Sequence, residues 1–364
     1  MNVVDLFSGC GGFSLGFKQS GFNIIKAVEF DKTIAKSYMA NHPQTLMINE
    51  DISKVDNYDY FQKNEADVII GGPPCQGFSM AGARIRKGFI DDERNYLFRH
   101  YINIVNIINP KVFIMENVKG ILSSNKGEII KEIERKINSA QNYKIYHIYP
   151  LLVNAKDFGV PQNRERVIIV GVLDNEIDIN KEIKNTKADI LKKIPSFFDN
   201  VMIKDALFGM PNCISDNLIS YPKTAYQEYL HGNSKGVLKN HTQTNHSKKA
   251  LERIKQIKPN ENYTSLQEDI NSIHSGSYGR MSFDGISNTI TTRFDTPSGG
   301  RFIHPIYDRT ITPREAARIQ SFPDDFVFSG SRTSIMKQIG NAVPIKVAYF
   351  FANLTKRILN EYNT

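Results

Sequence analysis

The chain is 364 residues long, with 40% hydrophobic and 23% charged side chains, near globular averages, and no apolar run approaches the ~20 residues that would span a bilayer. That length exceeds one small core and falls short of a multidomain assembly, so a soluble protein with one large and one smaller domain is expected. A formal net charge of +8 suits a polyanionic partner and equally suits ordinary solubility, while three scattered cysteines, Cys10, Cys75 and Cys213, argue against a disulfide framework and for a reducing compartment.

The chain opens with a five-residue strand pattern, Asn2 to Leu6, that leads straight into a glycine loop with no basic leader before it, so a cytoplasmic protein is expected. Strand patterns recur at Asn23 to Phe30, Ala66 to Ile70, Lys111 to Met115, Lys144 to Pro150 and Arg166 to Val172. Between them, Phe13 to Ser20, Lys32 to Asn41, Tyr96 to Ile108 and Glu128 to Ala140 carry apolar residues at helical spacing, with Gly21, Pro43 and Pro110 as stops. The alternation predicts a doubly wound α/β sheet, mixed but mostly parallel. From about Asn180 to Gly300 the pattern decays into short polar pieces, which marks a second domain or a large insertion. Order returns at Thr312 to Gln320, a capped helix with Pro313 in its first turn, and at Val343 to Leu359, a final amphipathic helix. The expected division is residues 1–180 plus 331–364 against residues 181–330.

In open α/β sheets ligands bind beyond the carboxyl ends of the strands. After the first strand comes Asp5-Leu6-Phe7-Ser8-Gly9-Cys10-Gly11-Gly12, where glycines let the backbone approach a ligand at a helix N-terminus, although such a turn also serves simply to join strand to helix. After the second comes Glu29, about twenty residues on, where an acid that hydrogen-bonds ribose hydroxyls belongs; Asp51-Ile52 follows the short run Leu46 to Ile48. The glycine spacing is not G-x-G-x-x-G, and Phe7 stands where a flat ring can stack on adenine, so a nucleoside cofactor without a pyrophosphate is favoured over a dinucleotide. After Ala66 to Ile70, Gly71-Gly72-Pro73-Pro74-Cys75-Gln76-Gly77-Phe78-Ser79 places a thiol on a rigid loop; the flanking prolines and glycines argue against the usual fate of a cysteine as a buried small hydrophobe. Glu116-Asn117-Val118 follows the next strand, and Gln162-Asn163-Arg164-Glu165-Arg166 offers two guanidinium groups; helix capping and surface salt bridging are their ordinary alternatives. A thiol, a carboxylate and an arginine beside a nucleoside pocket suit nucleophilic attack on an electrophilic ring.

These blocks, with Pro313 to Pro323 and Gln338 to Pro344, resemble in kind and order those of the DNA (cytosine-5)-methyltransferases of bacterial restriction-modification systems. The resemblance covers roughly the first 175 and last 65 residues; the middle is similar only in being variable, as that family's target-recognition region is. It implies a Rossmann-like methyltransferase sheet, S-adenosylmethionine as cofactor, and a pocket lined by Phe7, Gly9, Gly11, Glu29, Phe30, Asp51, Ile52, Pro74, Leu97 and Asn341. It implies that Cys75 is the nucleophile, that Glu116 protonates or hydrogen-bonds ring N3 of cytosine, that Arg164 contacts its O2, and that Arg166 supports the loop holding these groups. Gln76 and Ser79 would contact DNA, and the loop Met80 to Arg94, with Arg84, Arg86 and Lys87, would close over it, unless it is merely a solvated charged loop. Thr289-Ile290 resembles a Thr-aliphatic pair of the family's recognition region, and the glycine-rich segments Gly276 to Arg280 and Pro297 to Arg301 would bring Arg280 and Arg301 to groove edges.

The resemblance implies double-stranded DNA as partner and functional pairing with a restriction endonuclease; no membrane, no metal and a monomer are expected. The target base would have to be flipped out of the stack. Rival readings are a transfer-RNA methyltransferase of the same chemistry, against which the long variable middle argues, and a catalytically silent DNA-binding relative, against which Cys75, Glu116 and Arg164 speak. A zinc deaminase would need a second cysteine where Phe78 stands, and His241 and His246 have no cysteine or acid pattern beside them and read as solvated.

Overall fold

Val68-Ile69-Ile70 and Val112-Phe113-Ile114-Met115 leave no polar side chain for either face, so such runs are stable only as strands covered on both sides. In a computed structural model these residues, with Val3, Val4 and Leu6, are fully buried at the centre of a seven-stranded sheet. The structure describes residues 1–74, 97–123, 127–139, 145–213, 221–232, 234, 236–268, 270 and 275–362. The strands are β1 (Asn2–Leu6), β2 (Asn23–Val28), β3 (Leu46–Ile48), β4 (Val68–Gly71), β5 (Val112–Val118), β6 (Tyr146–Asn154) and, after the two-residue β7 (Gln162–Asn163) that pairs elsewhere, β8 (Glu165–Leu173). Their order is β3-β2-β1-β4-β5-β8-β6. All pairings are parallel except those of β8, which runs antiparallel to both β5 and β6. The sheet is therefore mixed and mostly parallel, as the resemblance implies.

Helices α1 (Gly12–Gln19), α2 (Lys32–Asn41), α3 (Ile52–Val55), α4 (Leu97–Ile108) and α5 (Glu128–Ser139) follow the strands. Asp31 starts α2 by accepting from the amides of Thr33 and Ile34 at 2.8 and 3.2 Å, which is why the second strand ends at Val28 and not at Phe30. Tyr101 of α4 is wholly buried, and its hydroxyl donates to the carbonyl of Ile114 at 2.9 Å, tying helix to sheet. α6 (Ile179–Lys193) lies where the sequence pattern fades, because polar contacts hold it: Glu182 and Asp189 pair with Arg357 at 3.0 and 2.7 Å. Its continuity carries the first compact unit to Pro195, past the expected limit at residue 180.

That unit comprises residues 1–154, 165–195 and 347–364. The second comprises residues 155–164 and 196–346. It holds α7 (Ile203–Leu207), α8 (Ala225–His231), α9 (Lys248–Gln256), β9 (Ser287–Asn288), α10 (Pro313–Ile319) and α11 (Arg332–Asn341), and the last helix, α12 (Ile345–Glu361), begins at its end. β7 and β9 form a two-stranded parallel pair, and Thr312 with Glu315 forms the capping box of α10. Among the described residues no helix is long and apolar enough to cross a membrane.

Candidate active site

The loop leaving β1 is built from left-handed backbone: φ is +55° at Phe7, +56° at Gly9 and +94° at Gly11. At Phe7 such a conformation costs an order of 1 kcal/mol or more and persists where the surroundings enforce it. A Cβ on Gly9 would meet nothing within 4 Å, so the backbone here borders open space. The Gly9 amide donates to one Glu29 oxygen at 3.0 Å and the Asp31 amide to the other at 2.8 Å, so this carboxylate joins the turns after β1 and β2. Burial raises the pKa of Glu29, against the pull of those two amides. Phe30 stands 71% exposed beside it, while Asn49 fixes the peptide by donating to the Glu29 and Phe30 carbonyls at 2.7 and 3.1 Å.

Beneath the loop, Asp5 is buried and accepts the Ser14 hydroxyl at 2.6 Å, and Ser14 meets the Tyr38 hydroxyl at 2.8 Å. Burial, helped by the nearby Glu29 charge, pushes the Asp5 carboxyl up to about 7. Its Oδ1 and the Ser8 hydroxyl are buried without a hydrogen-bond partner among the described residues. Open space over Gly9, a ribose-suited acid and an exposed ring form a donor set that fits a nucleoside cofactor. Asp51 instead caps α3 through the Ser53 amide at 2.9 Å, and Ile52 is 4% exposed, so the side chain of Ile52 serves the core.

At the end of β4, Gly72 runs against the acid expected from β5: a Cβ there would lie 3.2 Å from Glu116 Oε2. Asn117, the next residue, donates to the Pro73 carbonyl at 3.2 Å. Glu116 Oε1 pairs with Arg166 Nε at 3.0 Å, with side chains 13% and 20% exposed respectively. Because Val118 is opposite Arg166 across the β5–β8 ladder, the pair is a diagonal one on a single face. The Arg166 guanidinium also donates from Nη1 to the Glu165 carbonyl at 2.7 Å, and among the described residues Nη2 has no acceptor. Pro74 is exposed and Leu97 half-buried. Cys75, Gln76, Ser79, Arg84 and Arg86 lie outside the described residues. The other two thiols are buried, which raises both pKa values, that of Cys10 to about 12.

The second unit uses its arginines differently. Arg164 is 2% exposed and donates to the carbonyls of Ile290 and Gly340 at 3.3 and 3.0 Å. Gly340 has to be glycine, since a Cβ would collide with the Thr291 carbonyl. Arg280 is 4% exposed and spends five N–H bonds on the carbonyls of Ile254, Ile257, His304 and Tyr307 and on Asp308, which removes it from the groove contact expected of it. Arg301 is half-buried and donates to the Glu261 and Arg280 carbonyls at 2.9 and 3.0 Å, so it too braces the unit's interior. Thr289 donates its hydroxyl to the Asn163 carbonyl at 2.9 Å, and Ile290 is buried. Asn341 ends α11. His241, read as solvated, is 5% exposed between Thr312 Oγ1 at 3.0 Å and the Pro211 carbonyl at 2.9 Å, and His246 accepts the Thr310 amide at 3.1 Å.

The family model of C-5 cytosine-specific DNA methylases matches residues 1–357. The chain belongs to this family. It is 33% identical to the type II methyltransferase M.DdeI of Desulfomicrobium norvegicum, covering 100% of this chain and 92% of that protein, and 32% identical to M.NgoPII of Neisseria gonorrhoeae, covering 99% and 96%. Among solved structures, a prophage-encoded protein of E. coli described as a DNA modification methyltransferase superposes with a TM-score of 0.76 at 31% identity, covering 99% of both chains. The Dnmt2 methyltransferase of S. pombe shares the fold, with a TM-score of 0.63 at 15% identity over the full length of both. This DNA (cytosine-5)-methyltransferase contains two site residues that sequence reasoning passed over. Gly72 and Asn117 shape the exit of β4; they sit inside the quoted Gly-Gly-Pro-Pro and Glu-Asn-Val blocks, but only the strand pairing shows that Gly72 abuts Glu116 and that Asn117 reaches the Pro73 carbonyl.

Proposed function

We propose that this methyltransferase flips a cytosine out of double-stranded DNA and methylates C5 through a covalent bond between the Cys75 sulfur and C6. The observation that carries the reading is the Glu116–Arg166 pair held against the Gly72-Pro73 exit of β4, immediately before Pro74-Cys75 in the sequence. Burial of Cys10 and Cys213 supports it by leaving Cys75 as the remaining thiol among the three.

Cytosine C5 is too weak a nucleophile to take a methyl group unaided. Addition of the Cys75 thiolate at C6, with Glu116 placing a proton at N3, gives an enamine-like C5. S-adenosylmethionine, when bound, supplies an electrophilic methyl group, and Phe7, Gly9, Glu29 and Phe30 are the residues that would hold it. After C5 is methylated, loss of its hydrogen as a proton restores the double bond, breaks the bond to Cys75 and returns the N3 proton to Glu116. Arg166 fixes the Glu116 carboxylate and keeps Nη2 for the base carbonyl O2. That contact, expected of Arg164, is assigned to Arg166 because the Arg164 guanidinium is occupied by backbone carbonyls. The second unit is assigned target recognition. A monomer acting in the cytoplasm beside an endonuclease of matching target fits the restriction-modification relatives.

Fluorine at C5 cannot leave as a cation, so duplex DNA with 5-fluorocytosine at the target should trap a complex that survives denaturation and maps to Cys75. Cys75→Ser should abolish the adduct, and Glu116→Gln should slow its formation by about 100-fold or more while DNA still binds. Methylation of ordinary duplex without trapping, or trapping at Cys10 or Cys213, would overturn the mechanism; methylation of transfer RNA in place of duplex would overturn the substrate.

A further inference from the structure

Among the described residues of the second unit, the arginines fall into two groups. Most are consumed inside it. Arg309 pairs with Glu315 at 2.7 Å and Arg318 with Asp324 at 2.7 Å, all four nearly without exposure. Arg314 donates to three carbonyls, those of Lys239, Pro323 and Phe326. Arg164, Arg280 and Arg301 are engaged as described, Arg253 pairs with Glu268 at 2.5 Å, and Arg332 grips the segment Thr242 to Thr244. Arg293 stands apart. It is exposed, and its guanidinium has only a long 3.4 Å bond to the Thr296 hydroxyl.

The backbone on either side of Arg293 is pinned. Thr289 is tied to Asn163 and the Ile290 amide to Gln162 Oε1 at 2.9 Å; Thr291 rests on Gly340. Phe294 is fully buried against Phe302, and the Asp295 carbonyl accepts the Thr310 hydroxyl at 3.2 Å. Phosphate contacts on a duplex are shared among arginines, lysines, hydroxyls and backbone amides, and they carry no sequence information. A planar fork on a fixed backbone suits an acceptor pair of fixed geometry, and the outstanding such pair on a duplex is guanine O6 and N7 in the major groove.

We propose that Arg293 is a specificity-determining residue that reads a guanine of the target site through O6 and N7. The inference rests on the assignment of duplex DNA as substrate. The test compares kcat/KM of the intact enzyme, Arg293→Ala and Arg293→Lys on duplexes carrying each base at each target position, with salt titrations of binding and a melting curve for each protein. Both variants should melt like the parent, because the side chain supports nothing inside the unit. Arg293→Ala should lose about 10-fold or more of the discrimination at one position where the parent demands guanine, leaving the other positions intact, and Arg293→Lys should keep only part of it. Unchanged discrimination overturns the proposal. So does uniform weakening on every sequence with a shallower salt dependence, which marks a phosphate contact. A parent that methylates no duplex fails the substrate assignment itself, whereas a parent that discriminates while its variants match it fails this inference alone.

Discussion

The two units place their charged side chains by opposite rules. In the first, a sheet satisfies the backbone, and charged groups collect where strands end: Glu29 bridges two turns, and Glu116 and Arg166 share one face at 13% and 20% exposure. In the second, short helices and irregular segments leave carbonyls without ladder partners, and arginines carried into the interior satisfy them. Arg314 and Arg280 together reach seven backbone carbonyls. An arginine beside glycines in the second unit is therefore a brace by default, and exposure is what distinguishes a reader of DNA from a support.

Arg280→Met breaks this comparison most severely. It should cost about 3 kcal/mol or more in urea unfolding, since it strands four carbonyls, three of them buried, and Asp308, while any protein that still folds should keep the parent's target sequence. Normal stability with altered sequence preference would mean that the two kinds of arginine have been confused. Glu29→Ala probes the first unit at smaller cost. Losing the carboxylate that holds Gly9 and Asp31 should weaken S-adenosylmethionine binding by about 10-fold, close to 1.4 kcal/mol, with DNA binding largely unchanged; equal affinity in calorimetry would remove Glu29 from the cofactor pocket.

Much of the first unit was legible because its strands are apolar runs bounded by glycine and proline, and Glu29 could be found by its distance from the glycine loop. The direction of β8 was not legible, since a run of valines and isoleucines reads the same either way. Nor was the Glu116–Arg166 pair, which depends on a diagonal register between strands roughly fifty residues apart in sequence. In the second unit the failure has another cause. Arg280 and Arg301 carry the sequence marks of exposed loop residues, and what buries them is a set of carbonyls brought together from segments far along the chain, as with His241 between Thr312 and Pro211. Local composition holds no record of such meetings.

The smallest expected effect tests whether the first unit also hides a charge. Asp5 is buried beneath the glycine loop, and burial first, then the Glu29 charge, holds its carboxyl at about 7 against the usual 3.8. The folded protein thus keeps a proton that the unfolded chain has released by pH 6, so raising the pH through 7 ionises a buried group and lowers stability. Asp5→Asn has no proton to lose. The stability of Asp5→Asn minus that of the parent should therefore rise between pH 6 and pH 8 by about 1 kcal/mol, in a difference from which the titrating groups not coupled to Asp5 cancel. Urea unfolding of both proteins at the two pH values measures it. A difference that stays flat would mean that Asp5 is already ionised at pH 6, with water or a cation at its Oδ1, and the rule that the first unit keeps its charges at strand ends would then have an exception at its centre.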